Sequence, residues 1–238
     1  MPDSLRWYQL HVSPPLSEDG VRAVLVGLAC LPRQPLIVCE AIGCRGIVSW
    51  RVGCPASSSA AVRRLFATHL PTVRIAPLSP SETMRSSEPV MAGVSGDAWP
   101  VAAPSTPTVD AAASVRLPGS ERAALRHEPH SPVVRELLAA LAATGDAEEL
   151  RIQVLLGQRL RPRHVADVDP IDRRALTRKL GEHGFGCAVR LLARTASAGR
   201  AHQLIASAAS ALKGLEVPDV SVRLRRMSAA SVLSASSP

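Results

Sequence analysis

The 238 residues are 46% hydrophobic but only 3% aromatic, so a sizeable core is available and Ala, Leu and Val must fill most of it. No uncharged apolar stretch reaches the roughly 20 residues that span a bilayer, and the opening MPDSLRWYQLHV has neither the basic start nor the long apolar run of a secretory leader. The net charge of +8 sits mostly in residues 131–238, which hold 16 basic and 10 acidic groups.

Residues 5–12, LRWYQLHV, alternate as a strand. Ser17 then caps a helix, EDGVRAVLVGLACL, with Glu18 and Asp19 at its positive end and Val21, Leu25, Leu28 and Ala29 on one side. PLIVCEAI and GIVSWRVGC form a hairpin through Gly43-Cys44-Arg45-Gly46. PASSSAAVRRLFATHL is a second helix with Val62, Leu65 and Phe66 inward, and PTVRIAPL is a fourth strand. The order β-α-β-β-α-β is that of a ferredoxin-like module.

Residues 80–110 are rich in Ser, Pro and Ala without a steady period, and read as a linker. Beyond it, 112–117 and 122–127 are weak strand candidates. SPVVRELLAALAATG is a helix with Val133, Leu137, Leu138 and Leu141 on its apolar face, and EELRIQVLLG is a strand. A short basic helix, IDRRALTRKLGEHG, precedes the strand FGCAVRLLART, the long helix SAGRAHQLIASAASALKGL and the strand PDVSVRLRRM. Each half therefore closes on a strand, a small-residue helix and a Pro-led strand, an internal echo of one module in the other. The expected fold class is α+β, with two ferredoxin-like modules in tandem, antiparallel sheets and helices on one face. Their bounds are 1–79 and 111–227, followed by a disordered tail over 228–238.

The motifs of common chemistry are missing. There is no GxxxxGK[ST], and Gly181, Gly184 and Gly186 follow a helix and precede a strand, the reverse of a dinucleotide fingerprint. Cys39, Cys44 and Cys54 contain no CxxC pair, so buried thiols explain them better than zinc. An odd count of five cysteines without a leader points to reduced thiols and a cytoplasmic protein. His164 with Asp167 and Asp169 is the one grouping that could line an enzyme site, and it equally suits a solvated loop. No cofactor, metal or catalytic residue is expected.

The arginines remain. Arg159, Arg161 and Arg163 alternate beyond a strand, Arg173, Arg174, Arg178 and Lys179 lie on the short basic helix, and Arg223, Arg225 and Arg226 end the last strand. A planar guanidinium offers paired donors to phosphate, so these are contact candidates for nucleic acid, and equally for a protein surface. No aromatics interleave with them, which speaks against base stacking. Arg- and Ala-rich composition also follows from GC-rich codons, and Asp167, Asp169 and Asp172 would oppose DNA locally.

Several phrases carry a family resemblance. LRWYQLHVSPPLSEDGVRAVLVGLACLPRQPLIVCEAIGCRGIVSWRVGCP, EELRIQVLLGQRLRPR and TRKLGEHGFGCAVRLLARTASAGRAHQLIASAASALKGLEVPDVSVRLRR resemble the N-terminal region of actinobacterial conjugative-transfer proteins. These are similar to type IV secretion coupling and VirB4-like ATPases of the HerA/FtsK-type superfamily. The resemblance implies a non-catalytic accessory region that precedes a P-loop motor. The motor's lysine and acidic magnesium ligand have no counterpart here, and the chain ends at SAASVLSASSP, where the connection to a motor would begin. It implies assembly with a partner ATPase or with itself, DNA contact through phosphates, and membrane association only through a secretion complex. A stand-alone nucleic-acid-binding protein and a small enzyme with a site near His164 are the alternatives.

Overall fold

The computed structural model describes residues 5–78, 108–118, 132–162, 176–177, 180–181, 183–217 and 220–234. Eight strands form one antiparallel sheet: β1 Leu5–Val12, β2 Ile37–Cys44, β3 Ile47–Pro55, β4 Val73–Pro77, β5 Val109–Arg116, β6 Glu149–Leu160, β7 Gly184–Thr195 and β8 Arg223–Arg226. Four helices, α1 Glu18–Ala29, α2 Ser59–His69, α3 Pro132–Ala142 and α4 Ala198–Lys213, supply its principal cores, and a fifth, α5, spans Ala229–Leu233. The fold is thus mixed α+β.

Local chemistry sets these elements. The Ser17 hydroxyl accepts from the Gly20 amide at 3.1 Å and starts α1; Ser197 does the same for α4 through the Arg200 amide. The β2–β3 hairpin turns on Arg45 and Gly46, with φ of 55° and 72°, the left-handed pair that a tight two-residue turn needs. In α1 the buried positions are Val24, Leu28 and Ala29, whereas Leu25, expected inward, is exposed.

The strand order is β4-β1-β3-β2-β6-β7-β5-β8. It is a palindrome: from either edge it runs fourth, first, third and second strand of that half. The halves meet through β2 and β6, paired antiparallel from Ile37↔Leu156 to Cys44↔Glu149. The expected separate sheets are therefore one continuous sheet. The physical reason lies in β2 and the first eight residues of β6, which contain no exposed position. As edges they would have been long, flat and apolar; paired, they are satisfied.

The cores cross the same seam. Val24, Leu28, Val62 and Phe66 of α1 and α2 pack on Tyr8 and Val52, and Leu156 and Phe185 of the other half join them. Leu141 of α3 and Leu204 and Ile205 of α4 pack on Leu150 and Leu191, joined by Ala41 from the first half. Helix α3 also packs on β2 and β3, where Gly43 lets it approach: a methyl group there would collide with the Leu141 main chain.

Three further differences from the sequence reading concern the second half. β5 begins at Val109, inside the stretch read as linker. β6 runs on to Leu160, because a bulge at Gly157–Gln158 keeps it paired with β7. The tail over 228–238, read as disordered, holds α5, whose Val232 is completely buried. The candidate strand 122–127 and most of the basic helix lie outside the described residues.

Candidate nucleic-acid interface

Alternation places Tyr8, Val52, Ile152 and Leu191 on the sheet face that carries α1–α4. Their neighbours point to the opposite face, and the register aligns seven of these into a row across the sheet: Gln9, Arg51, Glu40, Gln153, Arg190, Ser114 and Arg225. The centre of the row is buried, with Glu40, Gln153 and Arg190 each at most 4% exposed. Gln153 Nε2 donates to Glu40 Oε1 at 2.9 Å, and Arg151, one row on, donates to the same oxygen at 3.3 Å and to Glu149 at 2.8 Å. Burial pulls the Arg151 pKa down, but Glu40 and Glu149 outweigh it and raise the value, so the guanidinium stays charged.

The row ends on a corner of exposed arginines. Arg116 of β5 lies directly across the ladder from Arg223 of β8, and Arg225 lies across from Ser114 on the same face. Directly opposed side chains start about 5 Å apart, and like charges so placed repel. All three are exposed, and among the described residues none of the three guanidiniums has a hydrogen-bond or ion-pair partner. The other strand arginines nearby are engaged: Arg194 holds Asp110 in a fork at 2.8 and 3.2 Å, which raises its pKa, and Arg190 donates to the Ser231 carbonyl. Three exposed cations on a fixed ladder are placed to donate hydrogen bonds to anionic oxygens.

The remaining predicted contacts do not gather there. Arg226, opposite Ala113, points to the helix side. The bulge reverses the alternation of β6, so Arg159, opposite Phe185, also points to the helix side. Its amide donates to Gln34 Oε1 at 3.2 Å, and its Nε is buried without a hydrogen-bond partner. Arg161 is exposed just past the strand, at least three strand spacings, about 14 Å, from β8. Arg163, Arg173, Arg174, Arg178, Lys179 and His164 lie outside the described residues. Arg116 was missed from the sequence, because it ends a weak strand whose partner comes more than 100 residues later; the register alone reveals it.

Other chemistry finds little support. Burial pushes the Cys39 and Cys54 thiols up to about 11, so both are protonated and inert at neutral pH. Cys44 lies on the opposite face from them. Among the described residues no three His, Cys, Asp or Glu side chains could hold a metal ion, and no helix is long and apolar enough to cross a membrane.

No family model and no curated protein matches the chain. Two solved structures of chlorite dismutase mutants from Candidatus Nitrospira defluvii align with 99% of this chain and 95% of theirs, at 10% and 11% identity and a TM-score of 0.26. That likeness is too slight to bear on function.

Proposed function

We propose that the chain is a non-catalytic accessory module of a DNA-transfer assembly, built of two ferredoxin-like modules in tandem, and that its second module touches DNA through phosphate contacts. The palindromic strand order supports the modular reading, since each half has the β-α-β-β-α-β connectivity in its described elements. The observation that carries the DNA contact is the Arg116–Arg223 pair, with Arg225 beside it. Two like charges held opposite each other cost stability unless an anion joins them, and a phosphate backbone supplies anions at a regular spacing.

The sheet edges favour assembly through faces. β8 presents Arg223, Arg225 and Arg226, and β4 ends in Pro77, so neither edge invites a further strand. Exposed Leu25 and Val26 on α1 and Val134 on α3 offer apolar contact on the helix side for a partner ATPase or a second copy.

The test is fluorescence anisotropy of labelled single- and double-stranded DNA with the wild type and with the triple variant Arg116→Ala/Arg223→Ala/Arg225→Ala. The reading predicts binding at low salt that is clearly weakened in the triple variant. Equal binding by both, or binding by neither, overturns it.

A further inference from the structure

Helix α5 lies on the open face of the sheet, against β5 and β7. It has five residues, one buried side chain and no side-chain cap at Ser228. What holds it are donors from the sheet: Arg190 Nη1 reaches the Ser231 carbonyl at 2.9 Å, and Gln153 Nε2 reaches the Val232 carbonyl at 3.0 Å. Gln153 Oε1 beneath them is buried and has no hydrogen-bond partner. Val232 is the single apolar anchor. Burial lowers the pKa of Arg190, which means that the covered position disfavours its charge.

Arg190 is also the next member of the arginine corner. It lies across from Ser114, which lies across from Arg225, so two strand spacings, about 10 Å, separate Arg190 from Arg225 on one face. We propose that α5 is an autoinhibitory strap over this anion site: phosphates bound at Arg116, Arg223 and Arg225 extend to Arg190 when α5 lifts, so α5 docking and DNA binding compete. This rests on the phosphate-contact reading above and adds its regulation. Competition of this kind is reciprocal. Whatever loosens α5 tightens DNA, and DNA loosens α5 by the same factor.

The test is Val232→Ala. Removing two buried methyl groups shifts the strap toward its open state by on the order of ten-fold. Because apparent affinity scales with the open fraction, the variant binds a short DNA duplex about three- to ten-fold more tightly than the wild type. A chain ending at Met227, which lacks the strap altogether, behaves the same way, and its circular dichroism checks that the sheet is intact. As a second measurement, hydrogen exchange of the Ala229–Leu233 amides accelerates when DNA is added to the wild type. Equal affinities of wild type and both variants, with unchanged exchange in α5, overturn the strap and leave the phosphate contact standing. Absence of binding in all three proteins overturns the phosphate contact and the strap with it.

Discussion

Glu40 of β2 and Arg151 of β6 meet across the seam at 3.3 Å, with side chains only 2% and 6% exposed. One charge of this buried pair comes from each half. Removing Arg151 leaves Glu40 buried without a counter-charge, at a cost of about 3–5 kcal/mol, whereas removing Glu40 leaves Arg151 still paired with Glu149 at 2.8 Å and costs less. Arg151→Ala is therefore strongly destabilising in urea titrations, and Glu40→Ala less so. The double variant Glu40→Leu/Arg151→Met is less destabilised than Arg151→Ala, because Glu40 is no longer left buried without its counter-charge.

The shared cores make the halves interdependent. Leu156 and Phe185 complete the core under α1 and α2, and Ala41 completes the other. A chain of residues 1–78 exposes all of β2 as an apolar edge. It is expected to aggregate or to lack a cooperative thermal transition, whereas the full chain melts in one step. Thermal denaturation followed by circular dichroism decides between them.

Gly43 sets how closely α3 approaches β2. The clash of an added methyl is with the Leu141 main chain, which cannot rotate away. Gly43→Ala should cost about 1–3 kcal/mol, the usual range for overpacking, whereas Gly199→Ala, with open space around it, should be tolerated. Paired denaturant midpoints give the comparison.

Acid sensitivity follows from Glu148. Arg200 binds both its oxygens at 2.7 and 2.9 Å, and the Gly145 amide donates to it as well. The Arg200 hydrogen bond is the largest influence, and it holds the carboxyl below its ordinary value of 4.5. A depressed folded pKa contributes stability above the unfolded value, and that contribution is lost as pH falls through the folded one. Wild-type stability should thus fall below about pH 4.5, and Glu148→Gln should flatten part of that fall. Solvent around the pair limits the effect at neutral pH to about 1 kcal/mol or less.

Much of the architecture was legible because periodicity and turn chemistry are local. The Ser17 cap, the Arg45-Gly46 turn and the repeated element order could be read directly. The β2–β6 seam could not, since Glu40, Arg151 and Gln153 look like solvent-facing positions until their partners, 111 and 113 residues apart, are known. Gly157 in a strand pattern was the available signal for the bulge that turns Arg159 to the helix side. The Ser- and Ala-rich tail hid α5 because a single valine anchors it. Arg223 and Arg225 were readable as candidates, but only the register joined Arg116 to them.

The most direct test of the phosphate contact is the salt dependence of DNA binding. Each neutralised phosphate contributes about 0.7–0.9 to the slope of log K against log salt. Arg116→Ala/Arg223→Ala/Arg225→Ala is expected to weaken binding and to lower that slope by about 2–3, whatever the DNA sequence. An unchanged slope in the triple variant would contradict it.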